Sequence, residues 1–142
     1  MDIRRISDTY AVSPQIEPTD VPEIAAAGFT CVVCNRPDLE IPIELHAQVM
    51  RAAVEAAGLM FIDNPIEGRA MTIENVAAQD QALTSADGPV LAYCASGTRS
   101  SIVWCLSQAG SMPTADIINA AAEAGYDLSF MAAQLDAFAA QK

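Results

Sequence analysis

Positive charge is what this chain has least of. Seven lysines and arginines stand against eighteen aspartates and glutamates, a formal net charge of −11. Nucleic acids and anionic membranes are held by basic faces, so neither is expected as a partner. Histidine is nearly missing, with His46 the single example. One histidine, and cysteines without chelating spacing, leave no ordinary metal-ligand set, and no metal or cofactor is expected. Aromatics make up 6% of the residues, few for a stacking or carbohydrate-binding platform. No apolar run approaches the ~20 residues that span a bilayer. The start, Met1-Asp2-Ile3-Arg4-Arg5, lacks the apolar stretch of a signal peptide, which predicts a cytoplasmic protein with reduced thiols.

What is present suits one α/β domain over residues 1–142, with 52% of residues apolar, largely alanine and aliphatics. Ile3 to Ile6 and Thr9 to Val12 read as a hairpin or edge strands, broken by Ser13-Pro14. Asp20, with Glu23 three positions on, predicts the N-cap of a brief helix that Gly28 closes. Phe29 to Asn35 and Leu59 to Ile62 read as strands, with an amphipathic helix from Ile43 to Ala57 between them. A helix from about Thr72 to Ser85 and the turn Asp87-Gly88-Pro89 lead to a strand at Val90 to Tyr93. Helices follow from about Thr98 to Ala109, from Thr114 as N-cap to Ala124, and from about Leu128 to Ala140. Alternating strands and helices predict three layers: a mostly parallel sheet of about four to five strands with helices on both faces.

Cys31 and Cys34 have the C-x-x-C form, but inside a β-branched run. Residues three apart in a strand face opposite sides, so the pair is read as core rather than a bridge or a metal site. Cys105 lies about 16 Å along a helix from Cys94, too far to resolve it. His46 reads as a half-buried structural residue and Trp104 as core.

The segment richest in chemistry is Tyr93-Cys94-Ala95-Ser96-Gly97-Thr98-Arg99-Ser100. A strand feeding a short glycine loop turns backbone N–H groups inward, and the following helix adds its positive end. A cysteine at the lip of that cradle is expected as a thiolate nucleophile, since a helix N-terminus and a nearby arginine lower a thiol from its usual ~8.5. Gly97 permits a positive φ, and Ala95, Ser96 and Thr98 are small enough to leave the N–H groups uncovered. Arg99 offers two donors to an anion, and Ser100 is expected to cap the helix or hydrogen-bond the sulfur. Ligands of parallel sheets bind at the strands' carboxyl ends, which predicts Arg36, Asp63 and Arg69 around the same crevice.

With these residues placed, the chain resembles the bacterial beta-lactamase hydrolase-like, phosphatase-like domains, some members of which are described as sulfur transferases. The resemblance runs from about Asp8 to Ser129. It rests on Tyr10-Ala11-Val12-Ser13-Pro14-Gln15, Cys34-Asn35-Arg36-Pro37-Asp38, Leu91-Ala92-Tyr93-Cys94 with its loop, and Met112-Pro113. It implies the dual-specificity or tyrosine phosphatase type of fold, with Cys94 as nucleophile and Arg99 as anion ligand.

Two departures from working phosphatases bear on function. Their loop resembles H-C-x5-R, whereas four residues separate Cys94 from Arg99 here and Tyr93 stands where the histidine would be. The shorter loop is similar to that of rhodanese sulfurtransferases. The leading expectation is therefore a sulfurtransferase in which Cys94 takes sulfur from thiosulfate or a small persulfide. The alternative is a phosphatase acting through a Cys94 phosphocysteine, with Glu67 or Asp63 protonating the leaving alkoxide. A third reading is a non-catalytic anion or phosphopeptide binder. The expected partner in the first two cases is a small anion; the oligomeric state is not legible.

Overall fold

Four mostly apolar runs of four residues, joined at one edge by a short charged strand, form the sheet. The computed structural model describes residues 1–68 and 70–142. Strands are β1 (Arg4–Arg5), β2 (Tyr10–Ser13), β3 (Cys31–Cys34), β4 (Met60–Asp63) and β5 (Val90–Tyr93). Helices are α1 (Val21–Ala26), α2 (Ala47–Ala56), α3 (Ile73–Ser85), α4 (Thr98–Gln108), α5 (Thr114–Glu123) and α6 (Ala132–Ala140).

The sheet runs β1-β2-β5-β3-β4. β1 pairs antiparallel with β2, completing the expected hairpin, while β2, β5, β3 and β4 are parallel. β2 is thus interior and β1 alone is the edge on that side. Ser13 and Cys34 both pair with Tyr93, and Cys34 also pairs with Asp63, so four strands end level. That common edge is the floor of the site.

Alternation along each strand divides the core in two. Val12, Cys31, Val33, Val90 and Ala92 pack with side chains of α3 to α6, including Val76, Trp104, Ile117 and Leu135. Ala11, Val32, Cys34, Leu91 and Tyr93 pack with α1 and α2 through Ile24, Met50 and Val54. Cys31 and Cys34 therefore belong to opposite faces, as their spacing predicts, and both are free thiols. Trp104 is buried and stacks at 6.2 Å on Tyr10. Each fully buried aliphatic on the central strand, such as Leu91, contributes about 1.5–3 kcal/mol.

Two helix starts differ from expectation, and a third has its expected N-cap, Asp20, without the expected side-chain bond. The helix expected from Ile43 begins at Ala47: His46 is extended (ψ 155°), and Asp38 Oδ1 accepts the Ala47 N–H at 2.8 Å. His46, half-buried, contacts the Ile41 carbonyl at 3.2 Å through Nε2. The Asp20 carboxylate accepts the Glu17 N–H rather than one from α1. Thr114 is the first helical residue after Pro113, and its hydroxyl donates to Asp136 on α6. Thr72, expected at the start of the helix, is its N-cap, its Oγ1 accepting the Asn75 N–H at 3.1 Å while Asn75 Oδ1 accepts the Thr72 N–H.

Candidate functional site

Cys94 follows the last residue of the central strand, and the chain then turns through Ala95 and Ser96 into Gly97, the N-cap of α4. Gly97 has φ 97°, a conformation in which an L side chain is strained. Its N–H points back at the cysteine, 3.1 Å from Sγ. The first N–H groups of α4 have no carbonyl in their own helix to bond. Cys94 is itself only 1% exposed.

The loop is pinned from two sides. Tyr126, between α5 and α6, donates its hydroxyl to the Ser96 carbonyl at 2.9 Å. The same ring lies against Gly97, and a Cβ there would overlap Tyr126 Oη and come within 2.9 Å of Cζ. On the other side the Ala95 carbonyl accepts the Gln15 N–H at 3.3 Å. Ser96 and Thr98 share a hydroxyl contact at 3.0 Å. Glycine at position 97 is thus required twice, by dihedral and by space.

Arg99 reaches across the floor. Its Nη1 and Nη2 meet the Glu40 oxygens at 2.8 Å each, a two-pronged pair, and Nη1 also donates to the Ile66 carbonyl at 2.7 Å. Arg36 joins from the end of β3, with Nε 3.2 Å from the same carboxylate and Nη1 3.4 Å from Gln15 Oε1. Hydrogen bonding to Glu40 is the main reason the Arg99 pKa is raised, with Cys94 adding a smaller push in the same direction. Arg99 in turn holds the Glu40 carboxyl below its ordinary value. Arg36 and Arg99 are therefore brought together through the shared Glu40 carboxylate. The acidic residue closing Asn35-Arg36-Pro37-Asp38-Leu39-Glu40, beside an arginine at a strand end, was the available signal.

Ser100 departs from its expected role. Because the helix starts at Thr98, Ser100 sits in its interior, wholly buried, and Gly97 is the cap. Its hydroxyl donates to Asn35 Oδ1 at 2.9 Å, not to the sulfur. Its carbonyl accepts the Tyr10 hydroxyl at 2.8 Å. Asn35 donates to the Asn64 carbonyl at 3.0 Å, and Asn64 and Asn75 exchange bonds of 3.0 and 2.7 Å. This buried amide chain ties the ends of β3 and β4 and the start of α3 to α4, beneath the loop. Sequence reasoning missed Asn64, Asn75 and Tyr126; three asparagines just past strands or at a helix start were the visible clue.

The predicted acids lie elsewhere on the rim. Asp63 ends β4, two strands from Cys94, where burial first and then Asp38 push its pKa up. Glu67 is exposed, one residue beyond the Ile66 carbonyl that binds Arg99. Arg69 lies outside the described residues.

A parallel sheet whose central strand ends in a cysteine, a glycine turn and a helix with an arginine in its first turn defines the tyrosine and dual-specificity phosphatase type of α/β fold. The chain belongs to the beta-lactamase hydrolase-like protein, phosphatase-like domain family, whose model matches residues 2–111. It is 31% identical over 126 residues to the beta-lactamase hydrolase-like protein of Agrobacterium fabrum, covering 87% of this chain and 29% of that protein. The chain therefore spans less than a third of that relative. A Neisseria meningitidis crystal structure provisionally called a phosphatase aligns with TM-score 0.83 and 33% identity, over 97% of this chain and 99% of that one. Pseudomonas aeruginosa TpbA, in a Cys-to-Ser variant complexed with pTyr, aligns with TM-score 0.66 at 17% identity, over 99% of this chain and 89% of its own, which shows a shared fold.

Proposed function

We propose that this chain hydrolyses phosphate monoesters through a Cys94 phosphocysteine. The observation that carries the reading is the sulfur receiving the Gly97 N–H at the head of α4, with Arg99 anchored beside it. The family's phosphatase-like description and the Neisseria structure support it. A TpbA complex with pTyr supports a phosphate ester as the substrate class.

The Cys94 thiolate attacks phosphorus, forming an S–P bond as the ester P–O bond breaks. The departing alkoxide takes a proton from Glu67 or from water. A second water then attacks phosphorus, the S–P bond breaks, and inorganic phosphate leaves with the thiolate restored. Loop N–H groups and Arg99 hold the phosphoryl oxygens, and each well-placed donor is worth about 10²–10³ in rate. Glu40 fixes the plane of the guanidinium. Phosphate release from p-nitrophenyl phosphate, abolished in Cys94→Ser and reduced less in Glu67→Gln, is the expected result. Release at the buffer rate by the intact protein would overturn the reading.

The four-residue spacing from Cys94 to Arg99 favours a second reading, sulfur transfer by a Cys94 persulfide, whose good leaving group needs no acid. A sulfane sulfur on Cys94 after thiosulfate exposure, seen by mass spectrometry, together with cyanide-dependent turnover, would establish it in place of the first.

A further inference from the structure

Beside the anion loop, and not used by the chemistry above, lies a cavity of about 490 Å³, within the range of roughly 300–1,000 Å³ typical of small-molecule sites. Its walls come from three separate elements. Ile102 and Leu106 stand one turn apart on α4, Phe130 and Met131 precede α6, and Ile66 and Met71 come from the segment between β4 and α3. The polar side chains of its lining are Thr98 and Arg99, from the first turn of α4, and Gln134 on α6. Arg99 therefore belongs to both places: its guanidinium is bound to Glu40 and Ile66 beside Cys94, and its side chain lines the cavity. Phe130 is 76% exposed at the cavity's edge although it is a large aromatic.

A mostly apolar chamber with a single cation in its wall fits an amphiphile, anionic head toward the arginine and apolar body inside. We propose, on the basis of the phosphatase reading, that the cavity receives the apolar body of the substrate, so that the preferred esters are small alkyl or aryl phosphates rather than sugar phosphates or phosphopeptides. Charge argues the same way. A chain with net charge −11 repels an acidic phosphopeptide over most of its surface, whereas a compact monoester needs favourable charge only near Arg99 and Arg36.

The test has two arms that separate the cavity from the chemistry. In the first, kcat/KM is measured for methyl, butyl and hexyl phosphate and for a phosphotyrosine peptide. Each methylene that enters the cavity raises it about threefold to fourfold, and Phe130→Ser, on the exposed rim, lowers the hexyl value about tenfold while leaving the methyl value unchanged. Ile102→Asn serves as the second variant. In the second arm, calorimetry compares methylphosphonate and hexylphosphonate, which are not hydrolysed, binding to the intact chain. Tighter binding of the hexyl compound, weakened in Phe130→Ser, supports the cavity even where no ester is turned over, a result that would sink only the phosphatase reading. Equal affinity for the two phosphonates, or a phosphopeptide preferred over hexyl phosphate, overturns the assignment.

Discussion

Replacing Gly97 with alanine tests whether the Cys94–Arg99 loop is held by Tyr126. Two costs add. An L residue at φ 97° is strained by about 1–2 kcal/mol. The new Cβ overlaps Tyr126 Oη and lies 2.9 Å from Cζ, so the ring must move and the 2.9 Å bond to the Ser96 carbonyl is lost, at about 1 kcal/mol. Repacking beneath the loop adds about 1 kcal/mol more, and the lower entropy of the unfolded alanine chain returns about 0.5 kcal/mol. The expected destabilisation is about 3 kcal/mol, a fall in Tm of about 9–12 °C for a chain this long. Urea unfolding followed by circular dichroism gives the number, and a cycle with Tyr126→Phe gives its cause. Alone, Tyr126→Phe costs about 1 kcal/mol; in the Gly97→Ala background it costs nothing or restores stability, since it removes the overlapping oxygen. A Gly97→Ala chain within 0.5 kcal/mol of the parent, or strictly additive substitutions, would refute the reasoning.

Glu40→Gln removes the carboxylate shared by Arg99 and Arg36. Because that pair is partly exposed, it costs about 1 kcal/mol or less at pH 7. The Glu40 pKa is lowered in the fold, so the parent's advantage holds above the unfolded value near 4.5 and disappears as pH falls through the folded one, which paired urea melts at pH 7 and pH 3 would register. Burial raises the thiols of Cys31 and Cys34 to about 11 and that of Cys105 to about 12. Folding therefore keeps them protonated where the unfolded chain ionises them, and stability declines as pH rises from about 9 toward 12. In native protein at pH 8 these three stay unlabelled by iodoacetamide, and peptide mapping reads that directly. Asn64→Ala leaves Asn75 and the underside of the loop short of buried partners and is expected to cost about 2–3 kcal/mol, measured by the same unfolding assay; a loss under 0.5 kcal/mol would remove the amide chain from any supporting role.

Local pattern carried much of this architecture. Alternating apolar runs and glycine or proline stops marked all five strands to within a residue or two, and the opposite facing of Cys31 and Cys34 followed from strand periodicity alone. The strand, cysteine, glycine turn and helix at Val90–Gln108 were legible as one local unit because every part lies within a few residues of the next. Helix starts were less legible, as at Ala47, where the acceptor capping the first turn is Asp38, nine positions back.

Residues 90–108 by themselves determined where the Cys94 sulfur and Arg99 stand in the chain's turn, because backbone geometry over a single strand-to-helix turn depends on neighbours in the chain. The partners of that loop were decided only by folding. Glu40 meets Arg99 from 59 positions away, Asn35 takes the Ser100 hydroxyl across 65, and Tyr126 reaches Ser96 across 30. A serine in isolation serves a sulfur or an asparagine equally well. Which one it bonds depends on which strand the sheet places beside it, and the order β2-β5-β3 put Asn35 there.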